Sequence, residues 1–385
     1  MSTERPAINN KARVVVAMSG GVDSSVAAAL LVEEGYDVVG IMMRLWSDSL
    51  ETAAPVVNRC CTPDQMADAR RVADHLNIPF YVLDAQSQFR EAIVQPFIDD
   101  HQHGRTPNPC IACNRKIRFG FLLQHAQALG AQFMATGHYA RKRENNGSYQ
   151  LLKGMDSSKD QSYVLYTLNQ QKLAHVLFPV GEFEKAEVRE MARKFDLPVA
   201  SKHDSQDLCF VVDGDNKGFL QRYAGNGFSA GPIVDQSGSE LGRHDGLPFY
   251  TIGQRKGLGI SSSQPLYVLR KDFSTNRIIV GPREALHEDL LHVRDLNWIS
   301  GTAVSAKRPV QIKIRYKTTS VTGHIHLEDN GEALVRLMEP VSGVTPGQGA
   351  VFYDGEVCLG GGIIADLHSS YAGRTPSTEE SMGEH

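Results

Sequence analysis

At 385 residues the chain is too long for one compact core, so it predicts two or three domains. With 41% hydrophobic residues, 22% charged residues and a net charge of −4, the composition is that of an ordinary soluble protein and does not by itself indicate a polyanion partner. No apolar run approaches the roughly 20 residues that cross a bilayer, and residues 1–11 have no signal-peptide core. We therefore expect a cytoplasmic protein that makes no contact with a membrane.

The first elements are two apolar strands, residues 14–18 and 38–43, with a helix over residues 24–34 between them. The connection from strand to helix is SGGVDSS, residues 19–25. Adjacent glycines allow a sharp turn that points backbone N–H groups into one concavity at a helix N-terminus, an arrangement that binds phosphate. The loop lacks the lysine of the Walker motif and the third glycine of the dinucleotide motif. A plain turn would use the same residue types.

Later elements extend this pattern to a doubly wound parallel sheet. A helix begins at Thr62-Pro63 and ends before Pro79, and strands are predicted at residues 80–83 and 133–136. Ligands bind beyond the carboxyl ends of such strands, where Met43 would lie near an adenine and Gly137 would permit close approach of the backbone to a ligand. His138 beside it can meet a phosphate or a base. Core packing for Met43 and a surface position for His138 are the alternatives.

Six cysteines in a cytosolic chain argue against a disulfide framework. Cys60 and Cys61 end an irregular segment, residues 44–61, which we interpret as a mobile loop with incidental thiols. Cys110-x-x-Cys113 follows two prolines and is predicted in a loop before a helix that begins near residue 115, where basic neighbours would lower the thiol pKa. Half of a zinc site is the alternative, although no second pair follows at finger spacing. Cys209 precedes an apolar run, which usually indicates buried strand filler.

Residues 156–168 begin with capping residues and predict an amphipathic helix, in which Lys159 can pair with a polyphosphate and Asp160 with a magnesium ion. An ordinary capped helix start is equally compatible. From about residue 214 the helical periodicity disappears. Short strands near 310–316, 333–338, 350–353 and 357–364 indicate a small antiparallel barrel.

Basic side chains concentrate in two windows that contain no acid, residues 101–120 and 301–320. Such windows on an acidic chain predict local anion-binding surfaces, although solvated loop and strand faces would give the same composition. In the second window, Arg315 suits a phosphate and Tyr316 suits stacking on a base.

Six motifs in this order resemble the tRNA-specific 2-thiouridylase family, whose catalytic domain is of the ATP pyrophosphatase (PP-loop) type. They are AMSGGVDSS, GRTPNPCIACNRKIRFG, ATGHYA, KDQSYVL, SKHDSQDLCF and YTIGQRKGLGI, and the similarity spans residues 13 to about 365. Together with the loss of helical periodicity from about residue 214, the resemblance implies three domains. They are a PP-loop α/β domain over 1–213, a small central linker domain over 214–290 and an antiparallel β-barrel over 291–367. A tail over 368–385 is expected to be disordered.

The resemblance implies that ATP and Mg²⁺ adenylate O2 of the wobble uridine of a tRNA, and that sulfur from a cysteine persulfide replaces this oxygen. The resemblance also implies that the persulfide forms on Cys209 from a sulfur-donor protein, and that Cys113 is the nucleophile that closes a transient disulfide with it. The residues implied to bind ATP are Ala17, Met18, Ser19, Gly20, Gly21, Val22, Asp23, Ser24, Met43 and Gly137. Those implied to contact the target base are Asn108, Pro109 and Cys110. Those implied to contact tRNA are His138, Lys159, Asp160, Gln161, Arg315, Tyr316 and Gln348.

One position departs from the family pattern. Some relatives carry an aspartate with an acid/base role where this chain has Cys110, so a perturbed thiol, water or another residue would have to take that role. Two rival functions are a PP-loop ligase that forms a C–N bond, which would not need the thiols, and a non-catalytic RNA-binding redox or zinc module. No resident metal is predicted.

Overall fold

The computed structural model describes residues 12–46, 62–203, 208–211, 215–224, 228–306 and 308–366. Cys60, Cys61 and most of the predicted loop 44–61 lie outside these ranges, as does the predicted tail 368–385. Within the ranges, no helix has both the length and the apolar character needed to cross a membrane.

A five-stranded parallel sheet forms the centre of the N-terminal region, as the apolar runs predicted. Its strands are β1 (Arg13–Ala17), β2 (Asp37–Arg44), β3 (Phe80–Asp84), β4 (Phe133–Ala135) and β7 (Val176–Leu177). The spatial order is β3-β2-β1-β4-β7, so β1 lies in the middle with β2 and β4 on either side. Val14, Val15 and Val16 of β1 are completely buried because helices cover both faces of the sheet. The loop after β1 therefore opens at the carboxyl edge, beside the end of β4.

Nine α-helices and several tighter or wider turns are present in the described ranges. The helices are α1 (Val22–Glu33), α2 (Pro63–His75), α3 (Gln86–Phe89), α4 (Gln95–Gln102), α5 (Pro109–Cys113), α6 (Leu123–Ala128), α7 (Gln170–Ala174), α8 (Lys185–Lys194) and α9 (Asn216–Tyr223). Two π-helical segments, Arg90–Val94 and Asn114–Leu122, join α3 to α4 and α5 to α6. The predicted start of α2 is confirmed, because Thr62 and Gln65 form a capping box around Pro63.

Two predictions about local structure are wrong. The helix that carries Cys110 and Cys113 begins at Pro109, not near residue 115, because proline fits the first helical position and Asn108 caps the N-terminus. Residues 156–168 do not form an amphipathic helix. Only Ser162–Leu165 form a 3₁₀ turn, and because its four residues are all buried, this turn has no solvent-facing side.

The remainder of the chain is mostly β-structure. A four-stranded sheet, β10-β11-β8-β9, contains β8 (Gly231–Val234), β9 (Glu240–His244), β10 (Tyr267–Asp272) and β11 (Arg277–Gly281). Short 3₁₀ turns lie at Leu247–Phe249 and Arg283–Leu286. The helix α9 precedes this sheet, although the sequence after residue 214 was predicted to lack helical structure. Asp215 caps α9 by accepting a hydrogen bond from the backbone N–H of Gly218.

The predicted C-terminal antiparallel barrel is confirmed, and it is closed by pairing of β12 with β17. Its strands are β12 (His287–Trp298), β13 (Val310–Lys313), β14 (Val321–Leu327), β15 (Ala333–Ser342), β16 (Gly349–Asp354) and β17 (Val357–Ile364). A hairpin from the N-terminal region, β5 (Ala140–Asn145) and β6 (Ser148–Lys153), adds to the same sheet through β17. This hairpin joins the barrel directly to the domain that carries the loop.

Candidate active site

The SGGVDSS loop turns at Gly20, whose φ of +70° is a conformation that favours glycine. A side chain there would also place its Cβ 2.3 Å from the carbonyl oxygen of Gln65 in α2. The hydroxyls of Ser24 and Ser25 donate hydrogen bonds to the Gly21 carbonyl, at 3.2 and 2.8 Å. The backbone N–H of Ser19 donates to the Ser24 hydroxyl at 3.2 Å. These bonds fix the loop at the N-terminus of α1, where the helix dipole favours an anion.

Gly137 is required where β4 ends against this loop. A Cβ at Gly137 would lie 2.7 Å from both the Asp23 carbonyl carbon and the Ser24 backbone nitrogen, closer than real Cβ atoms approach. The two backbones are therefore in direct contact, so glycine is needed here for packing against the loop, and the predicted approach of Gly137 to a ligand stays a prediction.

Asp23 is held by two groups from distant parts of the chain. Its Oδ1 accepts hydrogen bonds from the Tyr139 hydroxyl at 2.8 Å and from the Lys185 ammonium at 2.6 Å. On the other side of the loop, Lys202 Nζ donates to the Gly20 carbonyl at 2.9 Å and to Asp68 at 2.6 Å. Sequence reasoning missed both lysines. The only available signal was that the loop contains no cation of its own.

A cavity of about 1070 Å³ lies beside the loop and brings most of the predicted residues together. The predicted residues on its wall are Ala17, Ser19, Gly20, Gly21, Val22, Asp23, Ser24, Asn108, Pro109, Cys110, Cys113, Gly137, His138, Lys159, Gln161, Cys209, Tyr316 and Gln348. The predicted residues that do not line it are Met18, Met43, Asp160 and Arg315. Met18 is buried in the core of the sheet, and Met43 packs partly buried against two hydrophobic clusters.

Cys113 and Cys209 both line the cavity and belong to or pack against one hydrophobic cluster. Cys113 is buried at the last position of α5, and partly exposed Cys209 packs against the same cluster. Aromatic rings surround them, with the Phe97 and Phe210 ring centroids 5.2 Å apart. Cys110, one turn before Cys113, is exposed. The fold thus brings to one cavity and one hydrophobic cluster two cysteines that are separated by almost a hundred residues in sequence.

His138 is buried rather than on the surface. Its Nδ1 lies 2.7 Å from the Thr136 hydroxyl, and its ring packs near Phe119 and Phe178. Burial lowers the pKa of His138 to about 3, with a smaller contribution from the Arg118 charge. The imidazole is therefore neutral at physiological pH and suits a base edge better than a phosphate.

The KDQ segment, residues 159–161, serves partly as internal structure. Buried Asp160 accepts hydrogen bonds from the backbone N–H groups of Gly154 and Ser162 and from the Ser162 hydroxyl, at 3.0 to 3.1 Å. Gln161 Oε1 accepts from the backbone N–H of Tyr139 at 2.9 Å. The Asp160 carboxylate thus stabilises a turn, whereas Lys159 and Gln161 line the cavity.

Two of the predicted tRNA-binding side chains of the barrel make bonds within the protein. Arg315 donates to the Gly343 carbonyl and, at 2.9 Å, to the Thr345 hydroxyl. Gln348 Nε2 donates to the Thr106 carbonyl at 2.7 Å, which attaches the barrel to the segment just before Asn108.

The cysteines within the described ranges form no cluster of three or more metal ligands. Among the described residues, the one group of three or more potential ligands whose atoms converge is His292, Glu328 and Glu332, in the barrel. The His292 Nε2 lies 3.0 and 2.9 Å from the two carboxylates, distances that a hydrogen-bonded ion pair also gives.

The parallel sheet and the loop at its carboxyl edge define an α/β domain of the PP-loop ATP pyrophosphatase class. Three family models match the chain: "tRNA methyl transferase HUP domain" over residues 12–213, "tRNA methyl transferase PRC-barrel domain" over 217–282, and "Aminomethyltransferase beta-barrel domain" over 288–364. The chain is 48% identical to the tRNA-specific 2-thiouridylase MnmA of Magnetococcus marinus, over 91% of this chain and 98% of the relative. It is 47% identical to the protein of that name from Moorella thermoacetica, over 92% and 99%. The chain therefore belongs to the tRNA-specific 2-thiouridylase family.

Some solved structures share a distant likeness with part of the chain. The U34-tRNA thiolase NcsA from Methanococcus maripaludis is 19% identical with a TM-score of 0.33, covering 51% of this chain and 60% of that one. A likeness this remote says nothing about function.

Proposed function

We propose that this protein is a tRNA uridine 2-sulfurtransferase that replaces O2 of the wobble uridine with sulfur and converts ATP to AMP and pyrophosphate. The observation that supports the proposal is the shared cavity, which is lined by the SGGVDSS loop and by two cysteines from distant segments. Neither the loop nor the cysteine pair alone would support this function, because the loop could serve any ATP pyrophosphatase and a thiol pair could serve any redox protein.

The loop would allow ATP to activate the uracil carbonyl. The C2 carbonyl of uracil is a poor electrophile with a poor leaving group, so transfer of AMP to O2 creates an oxygen that can depart as AMP. The backbone N–H groups of residues 19–24 and the N-terminus of α1 would stabilise the pyrophosphate that leaves. Mg²⁺, when bound with ATP, would reduce repulsion between the phosphates and the incoming oxygen. Asp23 fits that ion better than Asp160, because Asp23 lines the cavity and Asp160 does not.

The cysteines supply the sulfur. A donor protein that carries a persulfide would transfer its outer sulfur atom to Cys209. The Cys113 thiolate then attacks the inner sulfur of the Cys209 persulfide, forms the Cys113–Cys209 disulfide and releases hydrosulfide. Hydrosulfide adds to C2 as AMP leaves. The transferred sulfur gains two electrons and the two cysteines lose two, so an external thiol must reduce the disulfide before the next turnover.

The target base would lie against Asn108, Pro109 and Cys110. Exposed Cys110 occupies the place where some relatives have an acid/base aspartate, and a thiol there can hold or donate a proton but carries no obligatory charge. Lys159, Gln161, His138, Tyr316 and Gln348 would contact the anticodon stem-loop, and Arg315 would hold the neighbouring turn or a phosphate. A tRNA substrate and a reduced cysteine pair are both met in the cytoplasm.

The family descriptions mention methyl transfer, whereas the relatives' names state thiolation. A phosphate-binding loop and paired thiols favour thiolation, because methyl transfer requires neither.

The test is mass analysis of nucleosides from tRNA incubated with the protein, ATP, Mg²⁺ and a persulfide source. We expect sulfur in place of one oxygen in the wobble uridine, and none with Cys113→Ser or Cys209→Ser. Full activity of both variants would exclude the sulfur-relay function and favour a PP-loop ligase. One equivalent of tightly bound zinc without tRNA-dependent pyrophosphate release would favour a binding module.

A further inference from the structure

The phosphate loop contains no lysine or arginine. Pyrophosphate leaves with several negative charges, and backbone N–H groups supply only partial positive charge to balance them. Two lysines from later in the chain approach the loop from different sides and line the cavity, Lys185 at the start of α8 and Lys202 beyond its end. They supply the full positive charges that the loop lacks.

Lys202 keeps capacity for another acceptor. A lysine ammonium group has three donors, and the described contacts of Lys202 use two of them, on the Gly20 carbonyl and on Asp68. Burial raises the pKa of Asp68, but hydrogen bonds from Lys202 and Arg71 outweigh that effect and leave this pKa below its ordinary value. Asp68 therefore remains ionised and orients a charged lysine toward the loop.

Lys185 is buried, with 9% of its surface exposed, and its ammonium group lies 5.7 Å from the centre of the Tyr139 ring. A buried charge persists only with a partner, and one partner of Lys185 is Asp23 Oδ1. The Tyr139 hydroxyl donates to the same oxygen. Lys185 can therefore turn toward an anion in the cavity while Asp23 retains a hydrogen-bond donor.

We propose that Lys185 and Lys202 bind the β- and γ-phosphates of ATP and neutralise the departing pyrophosphate. The inference rests on the proposed use of ATP by this site, and it assigns a function to two residues outside the family motif of the loop. A purely structural role, in which the lysines only fix the loop, is the competing explanation.

The experiment measures binding of MgATP and of AMP to the full chain by titration calorimetry. Lys185→Met and Lys202→Met should each weaken MgATP binding roughly ten- to a hundredfold, the usual worth of one charge-assisted hydrogen bond. Binding of AMP, which lacks the outer phosphates, should remain within about twofold of the unaltered protein. The control is Lys194→Met, which removes an exposed lysine at the other end of α8 and should change neither affinity.

An equal loss of MgATP and AMP affinity would overturn the proposal in favour of the structural role, and unchanged MgATP affinity would overturn it outright. If Lys185→Met does not fold, Lys202→Met decides, because the Lys202 side chain is 32% exposed. Lys202→Arg should keep most of the MgATP affinity. The lysine substitutions could cause the selective loss of MgATP affinity while the unaltered protein forms no thiolated uridine. In that case the lysine assignment stands and the thiolation proposal fails.

Discussion

The contact between β4 and the phosphate loop predicts the effect of Gly137→Ala. The added methyl group would lie 2.7 Å from two backbone atoms of the loop, and ordinary contact begins near 3.4 Å, so the two segments must separate by about 0.7 Å. Overpacking of this kind costs about 1–3 kcal/mol of unfolding free energy. Because the same backbone carries the N–H groups that we propose to bind phosphate, a shift approaching 1 Å can slow the reaction by up to roughly a hundredfold.

The assay combines urea unfolding with tRNA-dependent release of pyrophosphate. Gly130→Ala provides a matched control, because Gly130 lies just before β4 and has a φ of +74° with open space around it. Alanine there should cost stability through backbone strain of about 1 kcal/mol, with pyrophosphate release unchanged. Gly137→Ala with unaltered stability and unaltered pyrophosphate release would refute the reasoning.

Three further predictions concern the cysteines, acid stability and the α5 cap. Cys113→Ser and Cys209→Ser should abolish formation of 2-thiouridine while pyrophosphate release continues, because adenylation precedes sulfur transfer. Burial lowers the pKa of His101 to about 4 and of His138 to about 3. Unfolded histidines bind protons below about pH 6.5, so the urea-unfolding free energy should fall on acidification from pH 7, by about 2 kcal/mol per histidine at pH 5. Asn108→Asp should keep the unfolding free energy but reduce thiolation. Asn108→Ala should reduce thiolation and also lower the unfolding free energy by about 1 kcal/mol.

Each of these predictions has an opposing outcome. Loss of pyrophosphate release in both cysteine variants would mean that the thiols act before or during adenylation. If the unfolding free energy changes by the same amount from pH 7 to pH 5 in the protein and in His138→Gln, then His138 titrates normally in the fold. Normal thiolation by Asn108→Asp would remove the Asn108 amide from base recognition.

The parallel sheet was predictable because its strands are continuous apolar runs and its loop has a distinctive sequence. The apolar run Val14 to Val16 alone predicts that these residues are buried, without knowledge of what they pack against. The β5–β6 hairpin was missed because it alternates few apolar residues, and it is stabilised by pairing with β17, which lies two hundred residues later. The strands β12 and β14 were likewise missed; β12 pairs with β15 and β17, and β14 pairs with β13 and β15.

The errors at the site have a local cause. Prolines near Cys110 were taken to prevent a helix, whereas Pro109 begins one under the Asn108 cap. Lys185 and Lys202 could not be found from sequence because each reaches the loop across more than 160 residues, and no spacing rule connects such distant positions. The roles of the individual site residues remain predictions.

The fate of the uridine oxygen tests the central claim most directly, namely that O2 is adenylated and displaced by sulfur. A tRNA with a heavy oxygen isotope at C2 of the wobble uridine would be incubated with the protein, ATP, Mg²⁺ and a persulfide source. The heavy atom should appear in AMP in amounts equal to the 2-thiouridine formed. Thiolated product with the heavy oxygen in water or pyrophosphate, and none in AMP, would contradict the account.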